Sequence, residues 1–164
     1  MDFKVEPINN KRYDLIKSNT SLGSILYQNL FSVSKAKIIL QSTQEFYTSK
    51  KSNWKSDFYI MQDEKAVLEF SFKWNGSVHI SSCFEEQTQK YILKRKGFWN
   101  SDYVLINEKN DIVCSIKPEF KWKKFKTSYH INILNDIDFT QYDVLFLSVI
   151  HCIILINTMA AVAT

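Results

Sequence analysis

Glycine and proline are scarce in this chain, three and two in 164 residues. Its turns must therefore rest on Asn, Asp, Ser and Lys. Cysteine is sparse and odd in number: Cys83, Cys114 and Cys152. That is not a disulfide framework, and reduced thiols in a cytoplasmic protein are the simplest reading. The opening residues, MDFKVEPINNKRYDL, hold no apolar run of the kind a secretory signal needs, which agrees with that compartment. A large charge excess is also missing. A net charge of +4 falls short of the surplus that strong nucleic-acid binders carry, so nucleic acid is not an expected partner. There is no Gly-rich phosphate loop, no Gly-x-Ser-x-Gly elbow, no His-Glu-x-x-His and no Cys-x-x-Cys. No catalytic residue, cofactor or metal is expected.

Aromatic residues are plentiful at 15%, with 45% apolar overall, enough for a real core and a lean towards sheet. No linker or repeat divides the chain, so residues 1–164 read as a single domain. Residues 1–23 are polar and patternless enough to read as an irregular N-terminal arm or a first irregular strand. Segment 24–34 fits a strand or a short helix, and 36–47 begins β-rich before fading. From residue 57 period-2 alternation is clear: a strand over 57–61, a turn at Gln62–Lys65, then Leu68, Phe70, Phe72 and Trp74 on one face. Asn75-Gly76 is a hairpin signal. A two-residue loop would place Val78 and Ile80 opposite the phenylalanine face. A three-residue loop pairs Trp74 with Val78, Phe72 with Ile80 and Leu68 with Phe84, and is preferred because one face becomes apolar. Further strands are expected over 89–96, 103–106, 112–116 and 129–133, with a rim at 120–125. Such spacing suggests an antiparallel meander closing, or nearly closing, into a barrel or sandwich.

Residues 138–157 read as one hydrophobic C-terminal helix. Val144–Ile156 is apolar on every side except Ser148 and His151, so it belongs either in a core or in a membrane. Its strictly apolar run is about two-thirds of the roughly 20 residues a span needs, and no Lys or Arg immediately flanks it. A helix wrapped by a curved sheet is favoured over a tail anchor.

Strands, a polar turn carrying Asn-Asp, a basic strand and a terminal apolar helix run through QKYILKRKGFWNSDYVLINEKNDIVCSIKPEFKWKKFKTSYHINI and DFTQYDVLFLSVIHCIILIN. In this stretch, 89–157, the chain resembles the tubby-like superfamily of tubby C-terminal domains, phospholipid scramblases and LURP-one-related proteins. The resemblance implies a closed antiparallel barrel around a central hydrophobic helix, and a non-enzymatic module that binds lipid or protein, often at a membrane surface. The chain is slightly short for a full twelve-strand barrel, so strands missing or hidden in the N-terminal part are expected.

The basic-aromatic run Phe120–Lys126 is the main candidate site. Read as a strand, it turns Lys121, Lys123, Lys124 and Lys126 outward near Trp122, and Lys94, Arg95 and Lys96 extend the patch if their strand is adjacent. Lysines attract phosphates and Trp suits a membrane interface. The competing explanation is an edge strand guarded by lysines against aggregation. His151-Cys152 is a neighbouring pair that diverges on a helix and forms no nucleophile–base couple, so a satisfied core histidine is expected. His79 and Cys83 are too few for zinc. Glu85-Glu86, Asp63-Glu64 and Asp136/Asp138 read as solvated turns and caps, and the four tryptophans as core or rim. The expected role is a cytoplasmic binding module, peripheral at the membrane where it meets lipid, for an anionic lipid surface or a protein partner. The alternatives are an interaction domain without lipid affinity and a tail-anchored protein.

Overall fold

The computed structural model describes residues 2–29, 32–52, 56–84, 88–97, 101–123, 125–134 and 142–162. It contains β1 (Asp2–Asn9), β2 (Arg12–Lys17), β3 (Thr20–Asn29), β4 (Ser32–Leu40), β5 (Glu45–Lys50) and β6 (Phe58–Gln62). These continue into β7 (Lys65–Phe72), β8 (Val78–Ser82), β9 (Gln89–Arg95), β10 (Tyr103–Asn107), β11 (Ile112–Lys121), β12 (Lys126–Ile133) and α1 (Tyr142–Val162). Every strand pairs antiparallel with its sequence neighbours, and β1 pairs with β12, so the meander closes into a twelve-strand barrel.

Period-2 alternation sets which side chains enter the lumen. Phe3 and Val5, Tyr13 and Leu15, Ile25 and Tyr27, Phe58 and Ile60, and Tyr91 and Leu93 are all buried, with polar or half-exposed residues between most of them. Residues 2–23 are thus not an irregular arm: they form β1, β2 and the first part of β3. The strands hidden in the N-terminal part are there. They escape notice because their turns lack glycine. Ser18 and Asn19 carry positive φ at the β2–β3 turn, as do Thr43, Asp63 and Asn110 at later turns, and Asn and Asp tolerate that conformation best among residues with a side chain.

The apolar helix lies inside the barrel. Val144 to Ile154 is buried on all sides, with ring contacts to three strands: Phe146 against Phe3 of β1 at 5.4 Å, and His151 against Tyr27 of β3 and Phe58 of β6. Near the start of α1, the Tyr142 and Tyr91 hydroxyls are 3.5 Å apart. Residues 142–161 are long and apolar enough to cross a membrane, but most of this helix is covered by the sheet. Gly23 of β3 is hemmed in from two sides: a Cβ there would stand 2.9 Å from the Ile39 carbonyl oxygen of β4 and 3.1 Å from Leu147 of the helix. Ser148 sits in the apolar stretch because its hydroxyl donates to the Val144 carbonyl at 2.6 Å. The start of the expected helix, 138–141, lies outside the described residues.

The β7–β8 hairpin departs from the expected register. Phe72 pairs with Val78, Phe70 with Ile80 and Leu68 with Ser82, so the loop has five residues, 73–77. The apolar face is the expected one, but the register is shifted by two. The Asn75 side chain decides this: its oxygen accepts from the Ser77 backbone N–H at 3.1 Å and from the Ser77 hydroxyl at 2.7 Å, with Gly76 at φ 81°. This locally bonded turn leaves Trp74 outside the ladder.

Candidate functional site

The run Phe120–Lys126 is a hairpin tip, not one continuous strand. β11 carries Phe120 and Lys121, the chain turns through Trp122 and Lys123, and β12 resumes at Lys126. Lys124 lies outside the described residues. Because the turn breaks the alternation, the lysines do not line one outward row as expected. Trp122 and Phe125 are each 77% exposed, and the Trp122 ring meets Phe120 edge-on at 5.0 Å. Phe125 holds a left-handed backbone at φ 49°, a strained conformation for a bulky residue.

The lysines are not equivalent. Lys121 is bound to Glu119 at 2.8 Å, and His130 reaches the same carboxylate oxygen at 2.9 Å. The hydrogen bond from Lys121, then that from His130, holds the Glu119 carboxyl down to about 2, so it stays ionised and shields Lys121. Lys126 turns back, over the Tyr13 ring and towards the Asn10 carbonyl at 3.4 Å. Lys123 is exposed, and no ion pair engages it among the described residues. β11 is hydrogen-bonded on both sides, to β10 and β12. The β10 pairing, however, covers only Ile112–Ile116; from Lys117 to Lys121 the strand is paired with β12 alone, so the tip projects as a two-stranded ribbon and edge protection is a competing account of its lysines.

Lys94 and Arg95 end β9, and Lys96 follows. β10 separates them from β11, so the two basic segments are not neighbours in the sheet, although both reach the same end of the barrel. Lys94 and Lys96 are exposed. Arg95 donates to the Tyr103 hydroxyl at 3.4 Å, and that hydroxyl donates to Asn157 of α1 at 3.3 Å, tying this rim to the emerging helix. Trp74 was expected to pair with Val78; instead it is 99% exposed at a hairpin tip of the same end. Its exposure depends on the Asn75 turn, which the bare hairpin signal did not disclose. Trp54 and Trp99 fall outside the described residues, as do Glu85-Glu86 and Asp136/Asp138.

Inside, His151 Nδ1 lies 3.0 Å from the Tyr27 hydroxyl, and burial pushes the imidazole down to about 4. It is neutral at pH 7. Burial likewise raises the Cys114 thiol to about 12 and lifts Cys152 further. A groove of about 550 Å³ on the outer wall is lined by Ser71, His79, Ser81, Lys90, Asn107 and Glu108, among others. No hydrogen bond joins His79 to either serine among the described residues, so the groove presents no nucleophile–base pair. No three His, Cys, Asp or Glu side chains among the described residues could hold a metal ion.

These features define a closed antiparallel barrel with a core helix and a basic, aromatic rim. No family model, curated protein or solved structure matches the chain.

Proposed function

We propose that this chain is a non-enzymatic docking module of tubby-like organisation that binds an anionic membrane surface. Support for the family reading comes from the order of elements, twelve meandering strands and then an apolar helix in the lumen. One observation carries the docking reading: Trp122 and Phe125 stand in water beside Lys123, which no ion pair engages among the described residues. Indole rings favour the interfacial layer of a bilayer, where one side is apolar and the other wet. A lysine near an anionic surface contributes about 1 kcal/mol, so a few of them give weak, salt-sensitive binding.

Co-sedimentation of the full chain with phosphatidylcholine vesicles, with and without phosphatidylserine, tests this. Binding is expected only to the anionic vesicles and is expected to vanish near roughly 0.5 M salt, where screening is short-ranged. Equal binding to neutral vesicles, or indifference to salt, would sink the proposal.

A further inference from the structure

Successive strands pair directly, so their connections alternate between the two ends of the barrel. The β1–β2, β3–β4, β5–β6, β7–β8, β9–β10 and β11–β12 connections share one end. There the last turns of α1 emerge, with Asn157 bonded by Tyr103 and Met159 touching Ser56. The remaining connections share the other end, where α1 begins beside Tyr91.

Charge divides along this axis. Lys50, Lys73, Lys94, Lys96 and Lys123 are exposed at the end where the helix emerges, with no ion pair among the described residues. The carboxylates nearby are engaged: Asp57 accepts the Phe72 backbone N–H at 2.9 Å, and Glu119 holds Lys121 and His130. The opposite end exposes Asp63, Glu64, Glu108 and Asp111, with Lys65 and Lys109 in those turns and Lys90 at the start of β9; Glu45 there is paired with Lys37 at 2.8 Å. The exposed tryptophans follow the same axis. Trp74 and Trp122 sit on separate hairpins, and both are at the basic end.

We infer that the barrel docks end-on: the basic rim lies against an anionic bilayer, Trp74 and Trp122 enter the interface together, and the acidic end points away. This rests on the docking function proposed above and adds its orientation. Charge complementarity selects the surface, because a bilayer of anionic lipid attracts one end and repels the other. A flat partner also suits two indole anchors on different hairpins better than a wall contact at β11–β12, which would leave Trp74 in water.

The test compares vesicle binding of the full chain with that of Lys123→Glu, Lys73→Glu, Trp74→Ser and, at the acidic end, Lys65→Glu. All four positions are exposed, and a thermal melt of each variant verifies folding. End-on docking is expected to weaken binding at least about fivefold for Lys123→Glu and Lys73→Glu, clearly for Trp74→Ser, and not measurably for Lys65→Glu. If Lys123→Glu weakens binding while Lys73→Glu and Trp74→Ser bind like the parent, the orientation is wrong and the docking function stands. If the parent chain itself ignores phosphatidylserine vesicles, both proposals fail and the rim is left to a protein partner.

Discussion

The lumen and the basic rim treat their side chains in opposite ways. In the lumen every polar group sits next to something that accepts it: His151 by Tyr27, Ser148 by the Val144 carbonyl. No buried side-chain nitrogen or oxygen among the described residues lacks a hydrogen-bond partner. At the rim, large apolar rings are left in water and several lysines make no ion pair among the described residues. Folding accounts for the first region, because an unmade bond in the interior is expensive. It does not account for the second, since an exposed Trp adds nothing to a core. This difference is the reason the docking proposal falls on the rim.

The sharpest way to break the comparison is to empty the lumen. Phe146 is fully buried against Phe3 and Tyr142, so Phe146→Ala is expected to lower stability by about 3–5 kcal/mol in chemical denaturation. A loss below about 1 kcal/mol would show that the helix is not the core.

Acid is the next lever. The folded chain holds His151 near 4, against 6.5 for a free imidazole. Above pH 6.5 both folded and unfolded chains leave it neutral, and it contributes no pH dependence. From pH 6.5 down to about 4 only the unfolded chain takes up the proton, so stability falls by about 1.4 kcal/mol per unit, on the order of 3 kcal/mol in all. Below that both forms are protonated and the loss levels off. Denaturation curves between pH 7 and 4 should show a steeper decline for the parent than for His151→Gln; parallel declines would remove His151 as the cause.

The smallest effect belongs to the rim. Trp74→Ser and Trp122→Ser should each change stability by less than about 0.5 kcal/mol, although both replace the largest side chain. A melting shift comparable to that of Phe146→Ala would mean these rings pack after all, and the contrast between the two regions would dissolve.

Much of this was legible in the sequence. The alternation through Leu68, Phe70 and Phe72, and the all-round apolarity of Val144–Ile156, point directly to a strand meander and a core helix. β1 and β2 were not, although Phe3, Val5, Tyr13 and Leu15 alternate correctly, because positive-φ Ser18 and Asn19 replace the glycines that usually mark a turn. The site was half legible. Phe120–Lys126 stands out by composition, but its turn through Trp122 and Lys123 and the Glu119 clamp on Lys121 depend on pairing across β11 and β12. The grouping of Trp74 with Trp122 was out of reach for a topological reason. In a meander two loops share an end only when an even number of strands separates them, and reading 120–125 as a strand rim hides that Trp122 sits in a turn.

The β1–β12 seam has a consequence for how the molecule is made. Asp2 pairs with Asn132 and Val5 with Tyr129, contacts as distant in sequence as the sheet allows, and such non-local pairing is slow to form. The segment that fills the lumen is translated after the last strand. During synthesis the sheet must therefore stay an open, greasy-faced ribbon until α1 arrives to be enclosed. Until then this ribbon exposes the unpaired edges that the finished ring abolishes, the kind of surface that makes a folding intermediate prone to aggregate.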